Sequence, residues 1–214
     1  MYVPAQFKSK DVGDAIELMK SHPFATLIAN DDEGWPYITY LPLHLEARPA
    51  HDQEPKLVLF GHVAKANPHW RYLRERGVAT VSFLGPHAYL SPKVYPDAKR
   101  VPSWNYLAVE CRVKAKLIEG NEAADGMLVK LINAYEPEYL NQWRSLDEHY
   151  VNTMLSGIVG FELEVTELQC KLKLNQHRPE SHAALRAAYG KGNENERELA
   201  RWMDKLDLKG PKDV

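Results

Sequence analysis

Cysteine is nearly absent: Cys111 and Cys170 are the only two in 214 residues, which excludes a disulfide framework and leaves no paired metal-ligand spacing. Both fall inside predicted strands, where an isolated thiol reads as a buried, inert side chain. No apolar run is long enough to span a bilayer. The opening Met1-Tyr2-Val3-Pro4 has neither the basic region nor the apolar stretch of a secretory signal, so the expected location is the cytoplasm. Positive charge is not in excess either. The 27 Lys and Arg stand against 29 Asp and Glu, and a net charge of −2 gives no bulk attraction to a nucleic-acid backbone. Repeats, low-complexity tracts, a phosphate-binding loop, a Gly-rich dinucleotide fingerprint, a Gly-x-Ser-x-Gly elbow and a His-Glu-x-x-His helix are all missing. Nine histidines do not make up for this: His62 and His69 are separated by a predicted helix start, and His177 and His182 by a proline, so no metal site is expected.

What is present is an ordinary core-forming composition, 44% hydrophobic and 26% charged, at a length that fits one domain with a small appendage. Helical spacing of Val12, Ala15, Ile16 and Met19 predicts a helix over 11–20, stopped at His22-Pro23. A strand follows at 24–29, a turn at 30–34, and a second strand over 35–47 in which Pro42 marks an edge or bulge. Residues 48–55 read as a loop and 57–63 as a third strand. Asn67 and Pro68 then read as the cap and first position of a helix ending at Gly77. A fourth strand is expected at 78–84. Four prolines make 85–103 a long loop, of the kind that usually carries function.

The cleanest pattern comes next. Val109, Cys111, Val113, Ala115 and Leu117 alternate with charged residues, one face buried and one wet. A helix is predicted over 122–135, then a polar aromatic segment, a last strand around Phe161, Leu163 and Val165, and helices over 181–189 and from about Asn193. Sequential strands joined by short links predict an antiparallel barrel rather than βαβ units.

Three stretches could carry chemistry. In Gly61-His62-Val63-Ala64-Lys65-Ala66-Asn67-Pro68 a strand runs into a helix mouth, where free N–H groups and the Lys65 charge would suit a phosphate. The bland reading is an ordinary strand-to-helix turn that binds nothing. In Val101-Pro102-Ser103-Trp104-Asn105-Tyr106 an exposed Trp could stack on a flat ring while Asn105 bonds its polar edge; the alternative is a core Trp with a satisfied amide. Lys173-Leu174-Asn175-Gln176-His177-Arg178 is a polar cluster ending the last strand, or simply a solvated exit loop.

Together these stretches resemble the PaiB-type family of FMN-binding negative transcriptional regulators. The resemblance is carried by Met1-Tyr2-Val3-Pro4-Ala5-Gln6-Phe7, by His62 to Trp70, by Pro86-His87-Ala88-Tyr89-Leu90-Ser91-Pro92 and by Val101 to Tyr106, in that order. It departs at Val94, Glu110 and Asn175. The resemblance implies an α+β, mainly β fold: an antiparallel split β-barrel of the FMN-binding type over 1–178, with a helical C-terminal extension over 179–214. It also implies a homodimer with FMN at the interface. Thr39, Tyr40 and Leu41 would line the isoalloxazine, and His62, Val63, Lys65 and Asn67 would take the phosphate end. Trp104 and Asn105 would close the site, with Gln176 and Arg178 nearby. Three functions follow from it: a flavin-dependent oxidoreductase or sensor with a nicotinamide or small-molecule acceptor; a transcriptional regulator acting on DNA directly or indirectly; and a haem-binding split barrel with His62 or His177 as axial ligand. For direct DNA binding, the basic residues of the C-terminal helices (Arg186, Lys191, Arg197, Arg201, Lys205) are mixed with acids and read as a solvated face.

Overall fold

The computed structural model describes residues 1–50, 53–97, 99–208 and 210. His51 and Asp52 of the predicted 48–55 loop, Ala98 of the predicted 85–103 loop, and Lys209 with residues 211–214 of the predicted extension lie outside the described residues.

Among the described residues, seven strands form one antiparallel sheet in the order β2-β1-β5-β6-β7-β4-β3, and helices flank it. This is the α+β split-barrel class, and it ends in helices as expected. The strands are β1 (Phe24–Asn30), β2 (Pro36–Pro42), β3 (His44–Ala50), β4 (Gln53–Ala64), β5 (Val78–Leu90), β6 (Ser103–Ile118) and β7 (Ile158–Lys173). The helices are α1 (Val12–Ser21), α2 (His69–Arg76), α3 (Asn121–Tyr135), α4 (Tyr139–Ser145), α5 (Glu148–Ser156), α6 (His182–Gly190) and α7 (Glu194–Lys205).

Four predicted boundaries are corrected. The single strand over 35–47 is two strands, β2 and β3. Leu43 breaks them by donating its N–H to the Pro23 carbonyl at 2.9 Å, and Pro42 has no N–H to continue a ladder. The described residues of the predicted 48–55 loop instead extend β3 to Ala50 and start β4 at Gln53, with Arg48 opposite Lys56. The 85–103 loop begins only at Ser91: β5 continues through Gly85 and Pro86, keeping Ala88 and Leu90 buried against the outward His87 and Tyr89. The polar aromatic segment before β7 holds two more helices, α4 and α5, anchored by buried Trp143 and Leu155.

By contact, the chain divides into two compact units. One comprises Met1–Ser21, Leu84–Val109 and Gln169–Val214. Its core is Leu18, Leu107, Leu174, Leu185, Leu199 and Met203, all fully buried. Asn193 closes a capping box on α7, its side chain accepting from the Glu196 N–H while Glu196 returns a bond to the Asn193 N–H.

The other unit comprises His22–Phe83 and Glu110–Leu168. β1 pairs with β2 from Phe24–Pro42 to Asn30–Pro36, and β4 pairs with β7 from Val58–Glu164 to Ala64–Ile158. Leu27, Leu43, Leu59, Phe161 and Leu163 fill its core. Gly61 is required by this packing: an added Cβ would lie 2.6 Å from Leu43 Cδ2 and 3.3 Å from Phe161 Cε2. Gly77 ends α2 with φ of 68°, the left-handed cap read from the sequence.

Candidate functional site

The site is built around the end of β4, the turn into α2, and β2. On β2, side chains alternate: Tyr37, Thr39 and Leu41 turn inward, while Ile38 and Tyr40 face out. Leu41 is buried and Tyr40 is 67% exposed. On β4, Val63 joins the core and His62 keeps its Nδ1 buried with no hydrogen-bond partner. Burial lowers the His62 pKa, so this imidazole is neutral at ordinary pH.

Helix α2 is counted from His69, and Pro68 before it already has helical φ of −67° and ψ of −8°. The Asn67 carboxamide caps the first turn, as the sequence predicts, and also bridges to β2: Oδ1 accepts from the His69 N–H at 3.0 Å, and Nδ2 donates to Thr39 Oγ1 at 3.2 Å. The Lys65 N–H donates to Gly157 O and the Asn67 N–H to Ala64 O, each at 2.8 Å. The helix mouth therefore offers fewer free amides than its sequence suggested, and the cationic group of this turn is the Lys65 ammonium. Lys65 is exposed and has no carboxylate partner among the described residues.

His69 is the residue that sequence reading passed over. It is fully buried, and Nδ1 lies 2.8 Å from Thr39 Oγ1. Because Thr39 Oγ1 already accepts from Asn67, its own hydrogen is available to donate to His69 Nδ1. His69 Nε2, the other ring nitrogen, is buried and has no hydrogen-bond partner among the described residues. Tyr37 stands edge-on to the ring, 5.3 Å between centroids at 87°. Burial pushes the His69 pKa down to about 4. Its place after Pro68 in the motif was visible in the sequence, but its burial was not.

The remaining predicted residues belong to the other unit. Trp104 and Asn105 are neighbours on β6 and so point to opposite faces. Trp104 is 53% exposed, with Tyr89 and His87 rings 6.2 and 6.3 Å away. Asn105 is fully buried and donates to the Tyr189 hydroxyl at 3.1 Å, which in turn donates to Tyr89 O at 3.2 Å. Burial raises the Tyr189 pKa to about 12. The Gln176 amide bonds locally, accepting from the Leu174 N–H at 2.9 Å and donating to the Leu172 carbonyl. Arg178 is exposed.

Asn175 explains the turn that holds Gln176 and Arg178. It adopts φ of 65°, a conformation Asn tolerates better than most residues. Its buried carboxamide donates to Ser181 Oγ at 2.8 Å and accepts from Tyr95 OH at 3.2 Å. The Pro-rich loop is tied down here as well: Arg100 sits over the Tyr95 ring and pairs with Asp97 and Glu180 at 2.7 and 3.1 Å. Two of the five basic residues of the C-terminal helices are neutralised, Arg186 by Asp204 and Lys205 by Asp14 and Glu17, and Arg197 donates to the Gly192 carbonyl. His177 is exposed, edge-on to Phe7 at 5.5 Å. Among the described residues, no helix is long and apolar enough to cross a membrane.

Comparison with known proteins gives a consistent picture. Residues 1–167 match the family described as "Putative FMN-binding domain". The chain is 32% identical over 211 residues to "Protease synthase and sporulation protein PAI 2" of Bacillus subtilis (strain 168), covering 96% of this chain and 98% of that one. Among solved structures, it resembles the flavocytochrome Anf3 of Azotobacter vinelandii, with TM-score 0.61 and 14% identity over 78% of this chain and 69% of that one. It also resembles the FAD and heme binding protein of Mycobacterium smegmatis, with TM-score 0.60 and 18% identity over 78% and 73%. At such identities the two structures speak to the fold alone.

Proposed function

This chain belongs to the FMN-binding-domain family matched by residues 1–167, and from that membership we propose that it is an FMN-binding homodimer whose phosphate contact is Lys65. The observation that carries the assignment is the end of β4 and the turn after it. There, a buried His62 nitrogen without a partner stands three residues before an exposed, unpaired lysine. An unsatisfied buried polar atom is costly, and an incoming ligand group would relieve that cost.

The outward face of the β1–β2 hairpin supports the dimer. Phe24, Ile38 and Tyr40 are 65%, 48% and 67% exposed, and the register sets Tyr40 opposite Thr26 and Ile38 opposite Ile28. A continuous exposed apolar patch of this kind marks an interaction surface. A second copy covering it would shield both the patch and a flat ring laid against β2 from water.

Bound FMN would supply hydride and single-electron chemistry. The chain's own groups would bind and orient it. Lys65 would balance the phosphate charge, and Thr39, locked by His69 and Asn67, would keep β2 in register with the phosphate turn. His62 and His69 are both held neutral by burial, so neither would add positive charge for the phosphate, which leaves that role to Lys65. A link to sporulation or protease synthesis, the processes in the Bacillus relative's name, would run through this site. The cations of α6 and α7 are interleaved with Glu194, Glu196, Glu198 and Asp204, two of them are ion-paired, and the net charge is −2, which argues against a DNA-binding face.

The test is the ultraviolet–visible spectrum of the purified protein, then FMN titration and anaerobic reduction with NADH and NADPH. Flavin absorbance or micromolar FMN affinity is expected. A wild-type protein with no such affinity overturns the reading.

A further inference from the structure

Within the unit of His22–Phe83 and Glu110–Leu168, a cleft of about 680 Å³ opens between the end of β6, α3 and α2. None of the residues expected to hold FMN lines it. Its size lies in the range of small-molecule sites. Its floor is apolar: Phe60 and Met127 are almost fully buried, and Leu117 and Ile118 extend them.

The charges around it are unevenly compensated. Lys130 is held by Glu46 at 2.7 Å and lies 4.3 Å from the centre of the Phe60 ring, while Glu162 is held by Arg48 at 3.2 Å. Arg74 and Lys116 line the cleft with no carboxylate partner among the described residues. Arg74 is laid over the Trp70 ring at 5.0 Å, which fixes its guanidinium in place. Against these two cations stands one lining carboxylate without an ion pair, Glu119, so the lining carries a net positive charge of one.

Gly126 is the second, independent observation. It sits inside α3 on the cleft wall, without the positive φ that would require glycine, and an added Cβ would meet nothing within 4 Å. A glycine inside a helix is less favourable than alanine, and neither the backbone nor the packing of this chain requires one here. At this position it leaves the α3 side of the cleft wall without a side chain.

We propose that this cleft binds a small amphipathic monoanion. A flat apolar body would rest on Leu117, Ile118 and the Gly126 wall, above the buried Phe60 and Met127, and a carboxylate or sulfonate would be held by Arg74 and Lys116. The site is separate from the flavin turn, so it could admit a substrate or effector while FMN is bound.

The probe is 1-anilinonaphthalene-8-sulfonate, an aromatic body with one sulfonate, titrated by fluorescence into the full-length protein with saturating FMN present. Saturable binding of one probe per chain is expected. Arg74→Ala combined with Lys116→Ala should weaken it about tenfold, the scale of a lost charge-assisted bond. Gly126→Leu should abolish it and raise the melting temperature, because leucine is the better helix former. Both variants should leave FMN titration unchanged, which separates this site from the flavin reading. Unchanged probe affinity in Gly126→Leu, or in the double variant, overturns the proposal.

Discussion

Thr39 Oγ1 lies 2.8 Å from His69 Nδ1, and this contact ties the second strand to the first residue of α2 across thirty positions of sequence. Asn67 completes the link from the other side at 3.2 Å. A strand that would otherwise be a free sheet edge is thereby pinned to the turn that carries Lys65.

Removing the hydroxyl should be felt in stability. Thr39→Val conserves shape but leaves the Asn67 amide and His69 Nδ1 without a partner, which should cost about 1–3 kcal/mol. Urea unfolding at neutral pH measures it. A loss below a few tenths would mean that the network is not coupled to the fold.

Acid should destabilise the protein through His69. Its folded pKa of about 4 lies below the ordinary 6.5 because burial disfavours the charged ring. Between those values the unfolded chain binds a proton that the folded chain does not. Stability is therefore complete above about pH 6.5, declines as pH falls toward 4, and loses no more from this group below that. The full effect approaches 3 kcal/mol, and His62 acts in the same direction. His69→Asn should narrow the difference between unfolding curves at pH 7 and pH 4.5. The same acid loss in the variant would shift the cause to other groups.

Gly61→Ala should destabilise without touching a ligand. The new methyl would lie 2.6 Å from Leu43 Cδ2, and overpacking of this kind costs about 1–3 kcal/mol. Thermal melts should show the drop. A neutral result would mean that the Leu43 side chain has room to turn away.

Lys65→Ala should weaken FMN binding about tenfold or more, with the fold intact, since the side chain is exposed. Titration followed by flavin fluorescence quenching reads it. Lys56→Ala, which removes an exposed pair between β4 and Glu164 of β7, serves as the control and should change little.

Tyr40→Asp should convert a dimer to a monomer by placing a charge on the exposed hairpin face. Light scattering after size-exclusion chromatography decides between the two states. A dimer that persists in the variant would place the interface elsewhere.

Alternation along β6, the stripe on α7 and the turn chemistry at Gly77 and Asn193 were all legible in the sequence, because each depends on residues within one turn or one strand. Period-two burial of Val109, Cys111 and Val113 follows from strand geometry, and a glycine at a helix end follows from its freedom to adopt positive φ. The motif from His62 to Trp70 was legible too, since its residue types are contiguous. Hidden from the sequence were the features set by distant neighbours. Pro42 read as an edge or bulge within one strand and Pro86 as part of a loop, yet Pro42 ends a strand and Pro86 lies inside one, because sheet pairing supplies what local propensity lacks.

Gly61 to Pro68 illustrates the division. The sequence by itself determined that a strand would meet a helix there with a lysine between them. Tertiary structure decided that Gly61 serves the packing of Leu43, that Asn67 bridges to Thr39 as well as capping, and that His69 is buried and neutral. Propensity and spacing act over a few residues, whereas burial and hydrogen-bond partners are fixed by strands that meet only once the chain has folded.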